Sequence, residues 1–211
     1  VDPKHVDIYV KVNEGKKYYI RNISWVGNTV YSTDYLSRLL GMKKGDVYNQ
    51  TYLSKRLSQD EDAVGNEYWN NGYLFYRLEP TEVNIVGDSI DLEMRITEGQ
   101  QAHINRVKIN GNDRLYENVV RRELRTKPGD LFSKEALQRS ARELASMGYF
   151  DPEAINPVPE PNYEDGTVDI NYNLKQKSND QVELSLGWGQ TGVIGRVGLK
   201  LTNFSMANLL R

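Results

Sequence analysis

The chain contains no cysteine. That one absence excludes disulfides, zinc–thiolate sites and thiol catalysis, and it suits an oxidising compartment where a stray thiol is a hazard. Histidine is nearly absent as well, with only His5 and His103. Both stand near strand starts, without a carboxylate cluster, a neighbouring nucleophile or metal-ligand spacing. The chain is therefore not read as an enzyme, and no metal or cofactor is expected. An excess of charge is missing too: 27 Lys and Arg against 29 Asp and Glu leave a net charge of −2. Nothing in that balance draws the chain to nucleic acid. No run of about eighteen apolar residues occurs, which excludes a membrane-spanning helix. The 38% hydrophobic and 27% charged residues fit a folded chain. Fourteen tyrosines against four phenylalanines suggest many half-buried positions with one wet end.

What the sequence does hold is a repeat. Ile20, Ile23, Gly27, Asn28, Leu40, Gly45, Asp46 and Leu53 return 84 positions later as Ile104, Val107, Gly111, Asn112, Leu124, Gly129, Asp130 and Leu137. Asn71-Gly72-Tyr73 returns as Met147-Gly148-Tyr149 only 76 positions later, so the first copy carries eight extra residues before it. "VDIYVKVNEG" (6–15) aligns with "IDLEMRITEG" (90–99). The chain is expected to open on the closing strand of an earlier unit, then to hold two whole units.

Each unit reads as β-α-α-β-β. A strand ends in a Gly-Asn turn. A short helix follows, with Leu36, Leu39 and Leu40 at helical spacing in copy one and Tyr116, Val119, Val120 and Leu124 in copy two. Thr51 and Ser133 are the expected N-caps of a second helix. Leu53, Leu57, Val64 and Tyr68 line that helix in copy one, and Leu137, Ala141 and Leu144 in copy two. Asp60-Glu61-Asp62 reads as its solvated face. A left-handed glycine ends the helix. Two strands close the unit. In the last, Ile90, Leu92, Met94 and Ile96, or Val168, Ile170, Tyr172 and Leu174, alternate with polar residues. Period two with one apolar face means a sheet covered on one side only. The expected fold class is α+β, with two helices on one face of a three-stranded sheet.

Gly187, Gly189 and Gly192 have the G-x-G-x-x-G spacing of a dinucleotide loop. Such a loop must open a helix, yet alternation continues on both sides, through Val182, Leu184, Leu186 and Trp188 and then Val197, Leu199 and Leu201. The glycines are read as part of a β-hairpin. Its strands have about nine alternating residues, enough to cross a bilayer when tilted. The expectation is a barrel cut just after it begins; a soluble hairpin packed on the second unit is the alternative.

Tandem β-α-α-β-β units with Gly-Asn after strand one, Gly-Tyr after helix two, and an abrupt passage from "YNLKQK" into "VELSLGWG" resemble the POTRA domains of the BamA family of outer-membrane β-barrel assembly factors. The resemblance covers essentially the whole chain. It implies a strand of a preceding unit (1–15), a POTRA unit (16–99), a second one adjoining the barrel (100–178), and the first hairpin of a truncated barrel (179–211). It also implies the periplasm and outer membrane of a Gram-negative bacterium. Implied partners are unfolded outer-membrane protein precursors, accessory assembly lipoproteins and the outer membrane itself, with no nucleic acid. Two-partner-secretion transporters and the translocation-and-assembly relatives share the arrangement, and a passive tether is a reading of another class.

The resemblance puts strand two at a sheet edge, where an extended peptide can add. In copy one the candidate client-binding residues are Arg77, Leu78, Glu79, Thr81, Val83 and Ile85. In copy two the same strand carries Pro157, Pro159 and Pro161, which remove donors from one side. The first unit is thus expected to accept a strand and the second to refuse one. Arg121, Arg122, Arg125, Arg139 and Arg142 form a second candidate surface, for lipid headgroups or an accessory lipoprotein.

Overall fold

A computed structural model of the chain describes residues 9–11, 15–112, 117–177, 181–189 and 192–200. Most of the expected opening strand, His5 and Tyr116 lie outside the described residues. The chain divides into two compact units, Val1–Trp69 with Tyr73–Gln100, and Asn70–Gly72 with Gln101–Arg211.

The first unit contains β1 (Tyr19–Val26), α1 (Thr33–Leu40), α2 (Gln50–Ser54), a π-helical turn (Lys55–Gln59), α3 (Val64–Asn70), β2 (Arg77–Val86) and β3 (Ser89–Thr97). The second contains β4 (His103–Asn110), α4 (Glu117–Glu123), α5 (Lys134–Ser146), β5 (Asn156–Asn162) and β6 (Thr167–Asn173), followed by β7 (Gln181–Gly189) and β8 (Gly192–Lys200). The sheet orders are β1-β3-β2 and β4-β6-β5. The closing strand of each unit is central, parallel to the first strand and antiparallel to the second. This explains its strict alternation. Ile90, Leu92, Met94 and Ile96 are buried against Leu36, Leu40, Leu53, Val64 and Tyr68, and Val168, Ile170 and Tyr172 are fully buried in the second unit.

The repeated residues have repeated work. Gly45 N–H donates to the Ile20 carbonyl at 2.7 Å and Gly129 N–H to that of Ile104 at 2.7 Å. Ile20 and Ile104 in turn donate to the Asp46 and Asp130 carbonyls, both at 2.8 Å. The Asp46 and Asp130 carboxylates accept from Lys43 N–H (2.9 Å) and Lys127 N–H (3.1 Å). This closes a loop against the start of the first strand. A register shift recurs at Arg21 and Asn105, and each of those side chains bonds the carboxylate of the central strand, Asp91 or Asp169. Gly27 (φ 90°) and Gly111 (φ 82°) turn the chain directly beneath the central strand's end. A Cβ there would sit 2.1 Å from the Ile96 oxygen or 1.9 Å from the Leu174 oxygen.

Three local readings need correction. Asn49, not Thr51, caps α2: its backbone is extended and its side chain accepts from Tyr52 N–H at 3.0 Å, while Thr51 already lies inside the helix. Ser133 caps α5 as its sequence position suggests. The second helix of copy one is not continuous. The eight extra residues are absorbed by the π-helical turn and a break at 60–63, so Leu57 and Val64 stand on different segments. Asp60-Glu61-Asp62 lies in that break rather than on a helix face. Asp60 and Asp62 both pair with Arg56, at 3.2 and 2.6 Å. Arg56 also donates to the Leu39 and Leu40 carbonyls at the end of α1. One guanidinium thus satisfies orphan carbonyls of one helix and holds the bulged-out turn of the next.

β7 and β8 pair antiparallel from Gln181–Lys200 to Gly189–Gly192. Gly192 opens a strand, so the structural context of a dinucleotide loop is missing. Gln190 and Thr191 lie outside the described residues.

Substitution separates the two demands on glycine. Gly45 (φ 93°) has nothing within 4 Å of an added Cβ, so Gly45→Ala should cost only backbone strain, about 1–3 kcal/mol. Gly27→Ala adds a clash with a central-strand carbonyl and should lower stability by at least ~1 kcal/mol more in urea unfolding. Equal losses would contradict the close approach.

Candidate functional site

Each three-stranded sheet has two rims. The rims of β1 and β4 are engaged at their first residues by the Gly-Asp loop, through the Tyr19–Val47 and His103–Leu131 bridges and the Tyr48 N–H to Tyr18 and Phe132 N–H to Ala102 bonds, at 2.8 and 2.9 Å. The other rims are β2 and β5.

The prolines fix which backbone groups those rims present. In an antiparallel pair, alternate residues turn N–H and C=O toward the neighbour or away from it. A proline has no N–H, so its place in a paired edge strand is an outward position. Pro157, Pro159 and Pro161 stand opposite Tyr172, Ile170 and Val168. Asn156, Val158 and Glu160 therefore pair inward, and the outer rim of β5 lacks three successive donors. On β2 only Pro80, opposite Met94, has this effect. Stepping by two gives Leu78 and Glu82 as outward donors. The register shift at Val83 moves the next one to Ile85, opposite Ile90. Among the described residues, no backbone hydrogen bond from another element reaches these donors.

Cross-strand partners share a face, so Leu78, Pro80, Glu82 and Ile85 lie on the helix side with the buried β3 residues, and Arg77, Glu79, Thr81 and Asn84 on the bare side. Leu78 packs on the core, and Tyr48 Oη donates to Glu82 at 2.9 Å. Burial, then the Glu82 carboxylate, pushes the Tyr48 phenol up to about 12. Toward the end of the strand Val83, Ile85 and Val86 are about half exposed, at 47%, 52% and 52%. All six client-site candidates thus fall on one edge strand: Leu78 and Ile85 on the helix side, Arg77, Glu79 and Thr81 on the bare side, Val83 at the register shift.

The arginine candidates divide. Arg121 pairs with Glu117 at 2.6 Å and donates to the Val107 carbonyl. Arg122 pairs with Glu123 at 3.4 Å, and Arg125 with Glu143 at 2.9 Å. Arg139 and Arg142 are exposed on α5 and form no ion pair among the described residues. This surface is of mixed charge rather than a basic field.

The residue that sequence reasoning missed is Glu98, a carboxylate only 8% exposed. It accepts from Thr29 N–H (2.9 Å), Val30 N–H (3.0 Å), the Thr29 hydroxyl and Tyr68 Oη (2.9 Å). Burial pushes its carboxyl up, but the bonds from Thr29, Val30 and Tyr68 outweigh burial and hold it below its ordinary 4.5. It is a lock on the turn after β1, not a proton donor. Only the Glu-Gly after the alternating strand hinted at it. No cluster of His, Cys, Asp or Glu suited to a metal occurs among the described residues, and no helix there is long and apolar enough to cross a membrane.

The class this defines is a tandem of small α+β modules whose exposed resource is main-chain hydrogen bonding along a sheet rim. The POTRA family model, described as "Surface antigen variable number repeat", matches residues 18–99 and 102–177. The chain belongs to the POTRA family. It is 30% identical over 200 residues to the outer membrane protein assembly factor BamA of Neisseria meningitidis serogroup B, covering 93% of this chain and 24% of that protein. It is 26% identical over 190 residues to BamA of Nitratidesulfovibrio vulgaris, covering 88% of this chain and 24% of that protein. The chain spans about a quarter of the length of these relatives. In fold it is similar to Haemophilus influenzae BamA POTRA3-5 (TM-score 0.65, 19% identity, 77% of this chain and 63% of that one). It is equally similar to Haemophilus ducreyi BamA lacking POTRA domains 1-3 (TM-score 0.65, 22% identity, 86% and 34%).

A depressed folded pKa stabilises above the unfolded value and loses that contribution as pH falls through the folded one. Glu98→Gln should therefore cost about 1–3 kcal/mol at neutral pH, the worth of hydrogen bonds to a charged acceptor. The deficit against the parent should shrink as the pH of urea unfolding drops below about 4. A deficit constant from neutral to acidic pH would contradict the lock.

Proposed function

We propose that the chain is the periplasmic POTRA region of an outer-membrane β-barrel assembly factor, and that β2 of its first unit takes up unfolded outer-membrane protein segments as an added strand. β7 and β8 are then the first hairpin of the barrel, and residues 1–15 belong to the end of a preceding unit. The reading rests on membership of the POTRA family, on BamA relatives matching nearly the whole chain, and on one observation above all: β2 keeps outward donors at Leu78, Glu82 and Ile85 where β5 has three prolines. Main-chain bonds provide affinity without demanding a particular sequence. That suits a receptor for many different precursors. Exposed Arg139 and Arg142 on α5 are the remaining cations for an accessory lipoprotein or lipid headgroups, with Arg121, Arg122 and Arg125 contributing only if their carboxylate pairs open.

Cross-linking to an unfolded barrel precursor tests this. Probes at 77–85 should capture precursor and probes at 156–162 should not. Glu82→Pro with Ile85→Pro removes two outward donors and no inward one, so the unit should stay folded while capture falls roughly thirtyfold, about 1 kcal/mol for each of the two lost bonds. Replacing Pro157, Pro159 and Pro161 together by Val should create capture at β5. Equal capture by both strands of the parent chain, or none by either, would overturn the proposal.

A further inference from the structure

We infer that the β2 rim selects the faces of the strand it receives: it takes segments with strict apolar–polar alternation, apolar residues turned to the helix side. This rests on the strand-addition reading above and goes further, because addition through main-chain bonds alone is indifferent to side chains.

The two sides of the rim differ in kind. On the helix side the sequence of side chains is Leu78, Pro80, Glu82, Ile85. Three are apolar, and the carboxylate of the fourth is already occupied by the Tyr48 hydroxyl. On the bare side it is Arg77, Glu79, Thr81 and Asn84, with Asp91, Glu93 and Arg95 behind them on β3. Val86, the last residue, breaks the polarity, and Val83 stands at the register shift between the two rows. An added strand would place alternate side chains about 5 Å from these two rows. Apolar residues on the helix side would cover Ile85, 52% exposed in the free unit, and continue the core beyond Leu78. The same residues on the bare side would lie against Arg77 and Glu79 and desolvate those charges, and would cover the Arg95–Glu93 ion pair behind them. Shifting a strand by one residue exchanges every side chain between the faces, so the rim also sets register. The preferred ligand is thus an extended segment of period two, the pattern of a transmembrane barrel strand. The chain's own residues 181–188 (Gln-Val-Glu-Leu-Ser-Leu-Gly-Trp) have that pattern.

The test uses the whole chain and two nine-residue peptides of equal composition with Lys at both ends, one alternating Val and Thr, the other with Val and Thr in blocks. The alternating peptide should bind at least about fivefold more tightly, a few cross-strand pairs at their usual worth. Because the chain has no cysteine, a benzophenone label on Ile85→Cys or Asn84→Cys is unique. The first should cross-link the peptide's Val positions and the second its Thr positions, and both yields should fall about fivefold once Glu82→Pro is added, the worth of one lost bond. Equal affinity with cross-links on both residue types from both labels overturns face selection while strand capture stands. Absence of binding by either peptide overturns both this inference and the capture it rests on.

Discussion

A three-stranded sheet has two rims, and every N–H and C=O along them must meet water, chain or partner. In both units the last strand in sequence sits in the middle, which forces the first and second strands to the outside. The rest of the architecture answers that constraint. Helices cover one face of each sheet. The Gly-Asp loop folds onto the start of the first strand. Among the described residues the second strand receives no such loop, and the two units treat it differently: three outward prolines on β5, one on β2.

That difference links stability to function. Prolines on β5 leave the inward ladder intact and turn packing side chains toward the helices, so blunting the rim costs the unit little. β2 keeps its outward donors and exposes Ile85 and Val86 beyond the helices. A rim of that sort is an aggregation hazard in an ordinary domain. Under the strand addition proposed above, that same exposure becomes the working surface. The tyrosine-rich packing beneath it supports the rim. Tyr68 stacks on Tyr76, the residue before β2, at 4.2 Å and donates to Glu98, which ties α3 and the residue after the central strand to the start of the edge strand.

Much of this was legible in the sequence because it is local and periodic. The alternation of 90–96 and 168–174 fixed the buried face of each sheet, Ser133 announced its helix, and the 84-residue offset exposed the tandem. The proline spacing of 157–161 carried the rim asymmetry in plain view. What stayed hidden depends on contacts between distant residues. Leu53, Leu57, Val64 and Tyr68 keep helical spacing across a helix that breaks, because Arg56 reaches back to the carbonyls of Leu39 and Leu40 and forward to Asp60 and Asp62. Glu98 looks like an ordinary strand-end acid until Thr29, Val30 and Tyr68 are brought to it from about 30 to 70 residues away. Arg121 and Arg122 of α4 and Arg125 just beyond it read as basic in the sequence, but Glu117, Glu123 and Glu143 stand beside them.

Amide hydrogen exchange read residue by residue tests the central claim most directly, with the chain alone and with an unfolded outer-membrane protein segment added. The account predicts fast exchange at Glu82 and Ile85 in the free chain, slow exchange at Thr81 and Asn84, and protection of Glu82 and Ile85 on addition of the segment, with β5 unchanged. Slow exchange at Glu82 and Ile85 before any segment is present, or protection that arises on β5 and not on β2, would contradict it.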